Sequence, residues 1–355
     1  MKKCISAESL KDMNKYIGEA RKRSQNLLIV EGNHEKDELF WLIFKCFPEI
    51  NIDMEDVWIY GTNIYMLYDD IVKEYGQEWA EDDIDLPFII SKKKKLNALC
   101  YKEDFINIIL VFDYERHDTN FSESKILKMQ NYFVDATDIG KLYINYPMLE
   151  SYQHLTVLPD SDYAKRRIPV SLQPGVRYKE LVREETVIAK SVEFPHKIEK
   201  LLNEHYGIHD ECMWRKCYDT ILNISDGDGI AEKVQEVLRE AMADGRLQTA
   251  KYQFLDMISK IGYAYKGETY WSYMRSVFQQ IIFHNICKAN EIQKGQYQIE
   301  TGEYKECFEC IDLTEILKIQ NAASRDLVNG FIWVINTCLF FVAEYNFTLV
   351  TEQIC

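Results

Sequence analysis

Acidic side chains follow two short apolar runs of this chain, and their chemistry indicates a metal site. Residues 27–30 are followed by Glu31, and residues 108–112 are followed by Asp113 and Glu115. A short, continuously apolar run is typical of a strand buried in a parallel sheet. Ligands bind just beyond the carboxyl ends of the strands in such sheets. Carboxylates gathered there are the ligands that Mg²⁺ or Mn²⁺ prefers.

Alternating strand-like and helix-like segments must position these acids. The pattern of the first 150 residues predicts strands at 27–30, 57–60, 106–112 and 141–145. It predicts helices at 35–47 and 122–133, and a further helical stretch that follows the strand at 57–60 and ends at about residue 75. Such alternation implies right-handed crossovers and a mostly parallel sheet. Residues 76–104 interrupt the pattern and read as an insertion, with an acidic patch followed by four lysines.

Helical periodicity dominates the second half of the chain. It predicts helices at 198–206, 230–242, 252–261, 270–289 and 313–319, and a buried helix in the apolar stretch 330–345. We therefore predict an α/β fold in residues 1–155, followed by a mainly α-helical domain for assembly or partner binding in residues 156–355.

Composition limits the class of protein. The 47% apolar and 28% charged residues suit a soluble chain with a sizeable core. A net charge of −15 argues against a general nucleic-acid coat protein, although a nuclease needs only local basic strips. Ten scattered cysteines, with no signal-peptide pattern after Met1, indicate reduced thiols. We expect a cytoplasmic protein with no membrane span.

The order of these motifs resembles the Toprim domain. An apolar strand ending in Glu31-Gly32, a helix, and a later strand ending in Asp113-Tyr114-Glu115 carry the resemblance over roughly residues 24–155. Topoisomerases, primases, OLD-family nucleases and the Toprim effectors of phage-defence systems (PARIS-like) share this domain. The family usually has a second aspartate at the position of Glu115. Glutamate keeps the negative charge of that residue but has a longer side chain.

Two further acids resemble the OLD branch and its defence relatives. Glu35 has the spacing from Glu31 that those nucleases use for a second metal, and Glu150 resembles the glutamate that follows their last Toprim strand. By this resemblance, Asp113 and Glu115 bind one Mg²⁺ or Mn²⁺, Glu31 binds metal or acts as general base, and Glu35 and Glu150 hold a second ion. His117 and Asp118 are weaker candidates for residues of the same site.

Basic runs are candidates for contacts with nucleic acid. The best placed comprises Lys92, Lys93, Lys94 and Lys95 in the insertion; residues 21–23 and 165–167 form two others. Short basic runs are also common in solvated loops, and that interpretation stays open.

Cysteine spacing offers a zinc site as an alternative. Cys307 and Cys310 form a C-x-x-C pair, and His284 and Cys287 lie upstream. The upstream pair falls in an apolar helical stretch, where core packing is the simpler interpretation.

The resemblance implies a metal-dependent endonuclease that cleaves DNA or tRNA as a toxin effector of antiviral defence by abortive infection. The chain has no Walker A sequence, so an ABC or SMC-like ATPase partner would be a separate polypeptide. The alternative is a non-catalytic Toprim-like regulatory subunit of an ATPase complex. Whether the chain forms a homo-oligomer stays open.

Overall fold

A mostly parallel sheet organises the fold in a computed structural model that describes residues 24–225, 230–239, 252–257, 259–260, 267–300 and 302–351. Within these residues the main sheet has six strands in the order β2-β1-β3-β5-β4, and β8 also pairs with β5. Strands β2, β1, β3 and β5 are mutually parallel, whereas β4 and β8 run antiparallel to β5. The bounds are β1 Ser24–Val30, β2 Val57–Ile59, β3 Phe105–Asp113, β4 Val134–Asp135, β5 Gly140–Tyr146 and β8 Ile335–Asn336.

Register aligns the carboxyl ends of the three central strands. Val30 of β1 pairs with Val111 of β3, and Asp113 of β3 pairs with Asn145 of β5. The residues that follow β1, β3 and β5 therefore meet at one edge of the sheet. The predicted α/β class and parallel sheet are confirmed.

Helices from the first half of the chain cover the sheet. Helix α1 joins a π-helical segment (Glu35–Phe40) to an α-helical one (Trp41–Cys46). The helices that follow are α2 Ile64–Tyr75, α3 Leu86–Lys93 and α4 Glu123–Tyr132. Asn63, Asp85 and Ser122 cap the amino termini of α2, α3 and α4 by accepting backbone N–H groups, which satisfies donors that a helix start leaves unpaired.

The second half is mainly helical, as expected. Its helices are α5 Val176–Glu185, α6 Val187–Lys200 with a π-helical extension Leu201–His205, α7 Glu211–Leu222, α8 Ile230–Arg239, α9 Tyr270–Lys294, α10 Tyr304–Glu309, α11 Leu313–Ser324, α12 Phe340–Tyr345 and α13 Thr348–Thr351. None of the helices in the described ranges is long and apolar enough to cross a membrane. Parts of the helices predicted at 230–242 and 252–261 lie outside the described residues.

The predicted buried helix over residues 330–345 is wrong. This stretch forms strand β7 (Phe331–Trp333), strand β8 and the short helix α12. Strand β7 pairs with β6 (Arg167–Pro169), while β8 joins the main sheet beside β5. Just before β7 the backbone at Gly330 passes close to the Asp326 carbonyl oxygen. Glycine permits this contact, because a Cβ at this position would lie 2.2 Å from that oxygen. Pairing with distant strands overrides the local helical pattern.

Residues of the carboxyl-terminal segment pack directly on the α/β sheet. The Phe341 ring lies 5.8 Å from the Phe40 ring of α1. Glu344 forms an ion pair with Lys141 of β5 at 2.5 Å and accepts a hydrogen bond from Tyr143 at 2.7 Å. The domain boundary near residue 155 stays a prediction, and strand β8 crosses it.

Candidate functional site

Glu31 and Asp113 lie side by side where β1 and β3 end. The Asp113 backbone N–H donates to Glu31 Oε2 at 3.3 Å. Asn145 of β5 donates from Nδ2 to Asp113 Oδ1 at 3.4 Å. Burial raises the pKa of Glu31 to about 8, with repulsion from Glu115 and Glu35 adding to the effect. Asp113 is almost fully buried, and burial followed by the charges of Glu31 and Glu35 raises its pKa well above the usual range.

Glu35 faces the same place from the first turn of α1. Its Oε2 accepts the Gly32 backbone N–H at 2.9 Å, so the strand-to-helix turn holds the carboxylate. Burial raises its pKa, and the charge of Glu150 adds to the rise. The helix begins as a π-helical segment, a conformation that is frequent at functional sites.

Glu115 reaches the cluster from a turn, because strand β3 ends at Asp113. Strand geometry therefore does not place Glu115 on the same face as Asp113. Glu115 has a left-handed backbone with φ 41°, and its carbonyl accepts the Asp118 N–H at 2.9 Å. Burial and the neighbouring charge of Asp118 raise the pKa of Glu115, while a hydrogen bond from Asn63 opposes the rise.

Glu150 lies in a 3-10 turn (Leu149–Gln153) that follows β5, and it meets a lysine from the second half of the chain. Lys179 of α5 forms an ion pair with Glu150 Oε1 at 2.8 Å. Burial alone would lower the pKa of Lys179, but Glu150, Asp113 and Glu35 raise it above its usual value. The ammonium group therefore sits among the carboxylates as an internal counter-ion.

The five predicted acids lie near enough to this edge of the sheet for their charges to act on one another: Glu31, Glu35, Asp113, Glu115 and Glu150. Lys179 and Asn145 were missed by sequence reasoning, because their contacts join distant parts of the chain. Glu38 was missed too; it accepts hydrogen bonds from Tyr152 and Gln153 at 3.2 and 3.0 Å, and burial raises its pKa. Its position one turn after Glu35 is the signal that could have found it.

His117 and Asp118 have different relations to the cluster. The Nε2–H of His117 donates to the Pro174 carbonyl at 3.0 Å, so this ring ties the turn after β3 to the segment before α5. Asp118 contributes negative charge, which raises the pKa of both Glu31 and Glu115.

The lysine run ends helix α3, and its members differ in their contacts. Lys92 pairs with Glu74 at 2.7 Å and Lys93 with Asp70 at 2.8 Å. Lys94 and Lys95 are exposed, and Lys95 has a left-handed backbone with φ 53°. Of the other basic runs, residues 21–23 lie outside the described residues, and Arg166 of the second pairs with Asp160.

The cysteine and histidine set forms no zinc group in the described part of the chain. His284 accepts the Asp160 N–H at Nε2 (3.0 Å) and donates from Nδ1 to Tyr297 (2.5 Å), so both ring nitrogens are engaged. Cys287 is buried, Cys310 is exposed, and both are free thiols. Core packing accounts for the upstream pair.

The donor chemistry fits a divalent cation that keeps most of its waters. Among the described residues, no group of three or more Asp, Glu, His or Cys side chains is arranged so that it could hold a metal ion by itself. Mg²⁺ is usually held by one or two carboxylates together with water and substrate phosphates. Glu150 Oε2 is buried without a hydrogen-bond partner, which leaves an acceptor available to a cation or its water.

No family model, curated protein or solved structure matches this chain.

Proposed function

We propose that this chain is a Toprim-type, Mg²⁺- or Mn²⁺-dependent nuclease that cleaves phosphodiester bonds in DNA or tRNA. One observation carries the proposal: the Glu31 carboxylate and the Asp113 backbone are in contact at the adjacent carboxyl ends of parallel strands. This edge is where open α/β sheets bind ligands, and oxygen donors there suit hard cations.

Each acid has a role that its position supports. Asp113 and Glu115 would hold one ion, Glu35 and Glu150 a second, and Glu31 either binds metal or takes a proton from the attacking water. The raised pKa of Glu31 suits a group that exchanges protons near neutral pH. Bound divalent ions would supply charge stabilisation to the attacking and leaving oxygens of an in-line displacement.

The wider role rests on the motif resemblance alone. It extends the proposal to a cytoplasmic effector of phage defence, held in check by a separate ATPase. The ion pair between Lys179 and Glu150 at 2.8 Å suits an enzyme restrained until a partner or substrate acts, because it neutralises part of the cluster.

The same ion pair favours a second candidate, a non-catalytic regulatory module. In that case Lys179 would be a permanent structural counter-ion and the acids would have no need of metal. Titration of Mn²⁺ into the purified protein separates the two, because only the nuclease requires a cation that binds through Glu31 and Asp113.

Cleavage assays with isosteric variants test the proposal. Purified protein is incubated with Mn²⁺ or Mg²⁺ and plasmid DNA, single-stranded DNA or total tRNA, beside Glu31→Gln and Asp113→Asn. We expect each variant to lose at least about 100-fold in rate, as removal of a general base or metal ligand does. Matched controls are the exposed acids Glu184→Gln and Asp37→Asn, which should keep full activity. Undiminished metal-dependent cleavage in both site variants would refute the assignment.

A further inference from the structure

A buried asparagine of strand β8 contacts the turn that carries Glu150. Asn336 is fully buried, and its Nδ2 donates to the Leu149 carbonyl at 3.1 Å and to Ser151 Oγ at 3.2 Å. Leu149 and Ser151 are the residues on either side of Glu150 in the 3-10 turn Leu149–Gln153. A single amide group therefore holds the chain on both sides of this acid.

The Asn336 side chain is itself held in one orientation. Its Oδ1 accepts a hydrogen bond from the Cys338 thiol at 3.1 Å, and its backbone N–H donates to Asn285 Oδ1 of α9 at 2.7 Å. In the pairing of β8 with β5, Asn336 lies opposite Asn145. Because both ends of the amide have partners, the side chain cannot rotate without the loss of hydrogen bonds in a buried place.

The same turn connects Asn336 to the acid cluster. Glu150 forms its ion pair with Lys179 at 2.8 Å. Burial raises the pKa of Asp113, and a hydrogen bond from the Leu149 backbone N–H opposes this rise. A displacement of the turn would therefore move Glu150 and also take a hydrogen-bond donor away from Asp113.

We propose that Asn336 is a positioning residue of the candidate metal site, which holds Leu149 and Ser151 so that the Glu150 carboxylate stays at the cluster. This inference rests on the proposed function, in which Glu150 binds a cation. Hydrogen-bond partners that orient metal ligands typically change metal affinity or activity by about 10- to 100-fold when they are replaced. Strand β8 of the carboxyl-terminal segment thus completes a site whose acids all belong to the first half of the chain.

Titration of Mn²⁺ into variants of the full chain tests this role. Asn336→Ala removes both donors to the turn, whereas Ser151→Ala removes only the hydroxyl that accepts one of them. By calorimetric titration, we expect Asn336→Ala to weaken Mn²⁺ binding at least about tenfold. Ser151→Ala should weaken it about threefold, and it keeps the test decisive if Asn336→Ala does not fold.

Two buried residues with comparable hydrogen bonds are the matched controls. Asn290 of α9 is almost fully buried, and its Nδ2 donates to the Gln296 carbonyl at 2.7 Å. Ser91 of α3 is fully buried and makes two hydrogen bonds through its hydroxyl. Asn290→Ala and Ser91→Ala should lower the resistance to urea about as much as Asn336→Ala and Ser151→Ala do, yet keep the Mn²⁺ affinity of the wild type.

Hydrogen–deuterium exchange separates this inference from the proposed function, because it needs no cation. In the metal-free protein, Asn336→Ala should speed exchange in peptides that cover the turn Leu149–Gln153, and Asn290→Ala should not. Faster exchange there, with no Mn²⁺ binding by the wild type, supports the hold of Asn336 on the turn and counts against the nuclease. Mn²⁺ binding and cleavage by the wild type, with equal Mn²⁺ affinities in Asn336→Ala and Asn290→Ala, would overturn the positioning role alone.

Discussion

At the scale of single residues, Glu115 combines an unfavourable backbone with a position in the acid cluster. Its φ of 41° lies in the left-handed region, which costs a residue with a side chain about 1–2 kcal/mol. Strained residues of this kind persist where the surrounding structure fixes them, and they are frequent at active sites. Strand β3 ends at Asp113, two residues before Glu115. The turn that follows places the Glu115 carboxylate where its charge repels that of Glu31.

Glu115→Gly should therefore stabilise the metal-free protein while weakening metal binding. We expect the free energy of unfolding to rise by about 1 kcal/mol, because glycine adopts the left-handed backbone freely. Gln173→Gly is the matched control, since Gln173 is exposed and has φ 50°. It should give a similar gain in chemical denaturation and leave the Mn²⁺ affinity unchanged. Equal Mn²⁺ affinity in Glu115→Gly and the wild type would remove Glu115 from the site.

Lys179 competes with any cation that enters the cluster. Its ammonium group lies 2.8 Å from Glu150 Oε1 and raises the local positive potential. Lys179→Met should therefore increase the Mn²⁺ affinity by at least about tenfold, or 1.4 kcal/mol, by calorimetric titration. Lys179→Arg keeps the charge and should resemble the wild type, as should Lys190→Met at an exposed position. Weaker Mn²⁺ binding in Lys179→Met would show that Lys179 supports the metal site instead of competing for it.

At the scale of elements, the sequence predicts what depends on local pattern. Continuous apolar runs identified the central strands β1 and β3, whereas the role of the five acids as a metal site stays a prediction. Strands β4 and β8 have two residues each, so their formation depends on pairing with β5 rather than on their own pattern. Lys179 and Asn145 could not be predicted, because tertiary packing alone brings them to Glu150 and Asp113.

A buried tyrosine connects the acid-bearing turn to helix α11. The Tyr114 hydroxyl donates to Asn321 Oδ1 at 2.7 Å and lies 2.9 Å from Ser324 Oγ. Tyr114→Phe removes the donor to the buried Asn321 Oδ1, so we expect it to lower the free energy of unfolding by about 1–3 kcal/mol. Urea denaturation measures this loss, with the exposed Tyr345→Phe as a control that should lose little. Because Asp113 and Glu115 flank Tyr114, Mn²⁺ binding should weaken as well; an unchanged stability would contradict the link.

At the scale of the whole molecule, helix α9 holds a distant segment of the chain through a buried histidine. His284 of α9 accepts the Asp160 N–H at 3.0 Å, and protonation at that nitrogen would break the bond. Burial lowers the pKa of His284 to about 4. Below its ordinary pKa of about 6.5, the unfolded chain therefore takes up a proton that the folded chain does not. The stability that His284 contributes is present above about pH 6.5 and is lost as the pH falls toward 4.

His284→Gln should flatten the dependence of stability on pH. Between pH 7.5 and 5, the wild type should lose about 2 kcal/mol more than the variant in the free energy of unfolding. Chemical denaturation at the two pH values gives this difference directly. His209→Gln changes an exposed histidine and should follow the wild type. An identical pH dependence in His284→Gln and the wild type would mean that His284 is not held neutral in the fold.

The position of a bound cation tests the central account most directly. Crystals of the full chain soaked in Mn²⁺ would be measured for anomalous scattering at the manganese edge. The account predicts a peak at the carboxyl ends of β1 and β3, within coordination distance of Glu31 or Asp113, and its loss in Asp113→Asn. A Mn²⁺ peak elsewhere would contradict the account. So would a structure at saturating Mn²⁺ in which Lys179 is still the only group that neutralises the acid cluster.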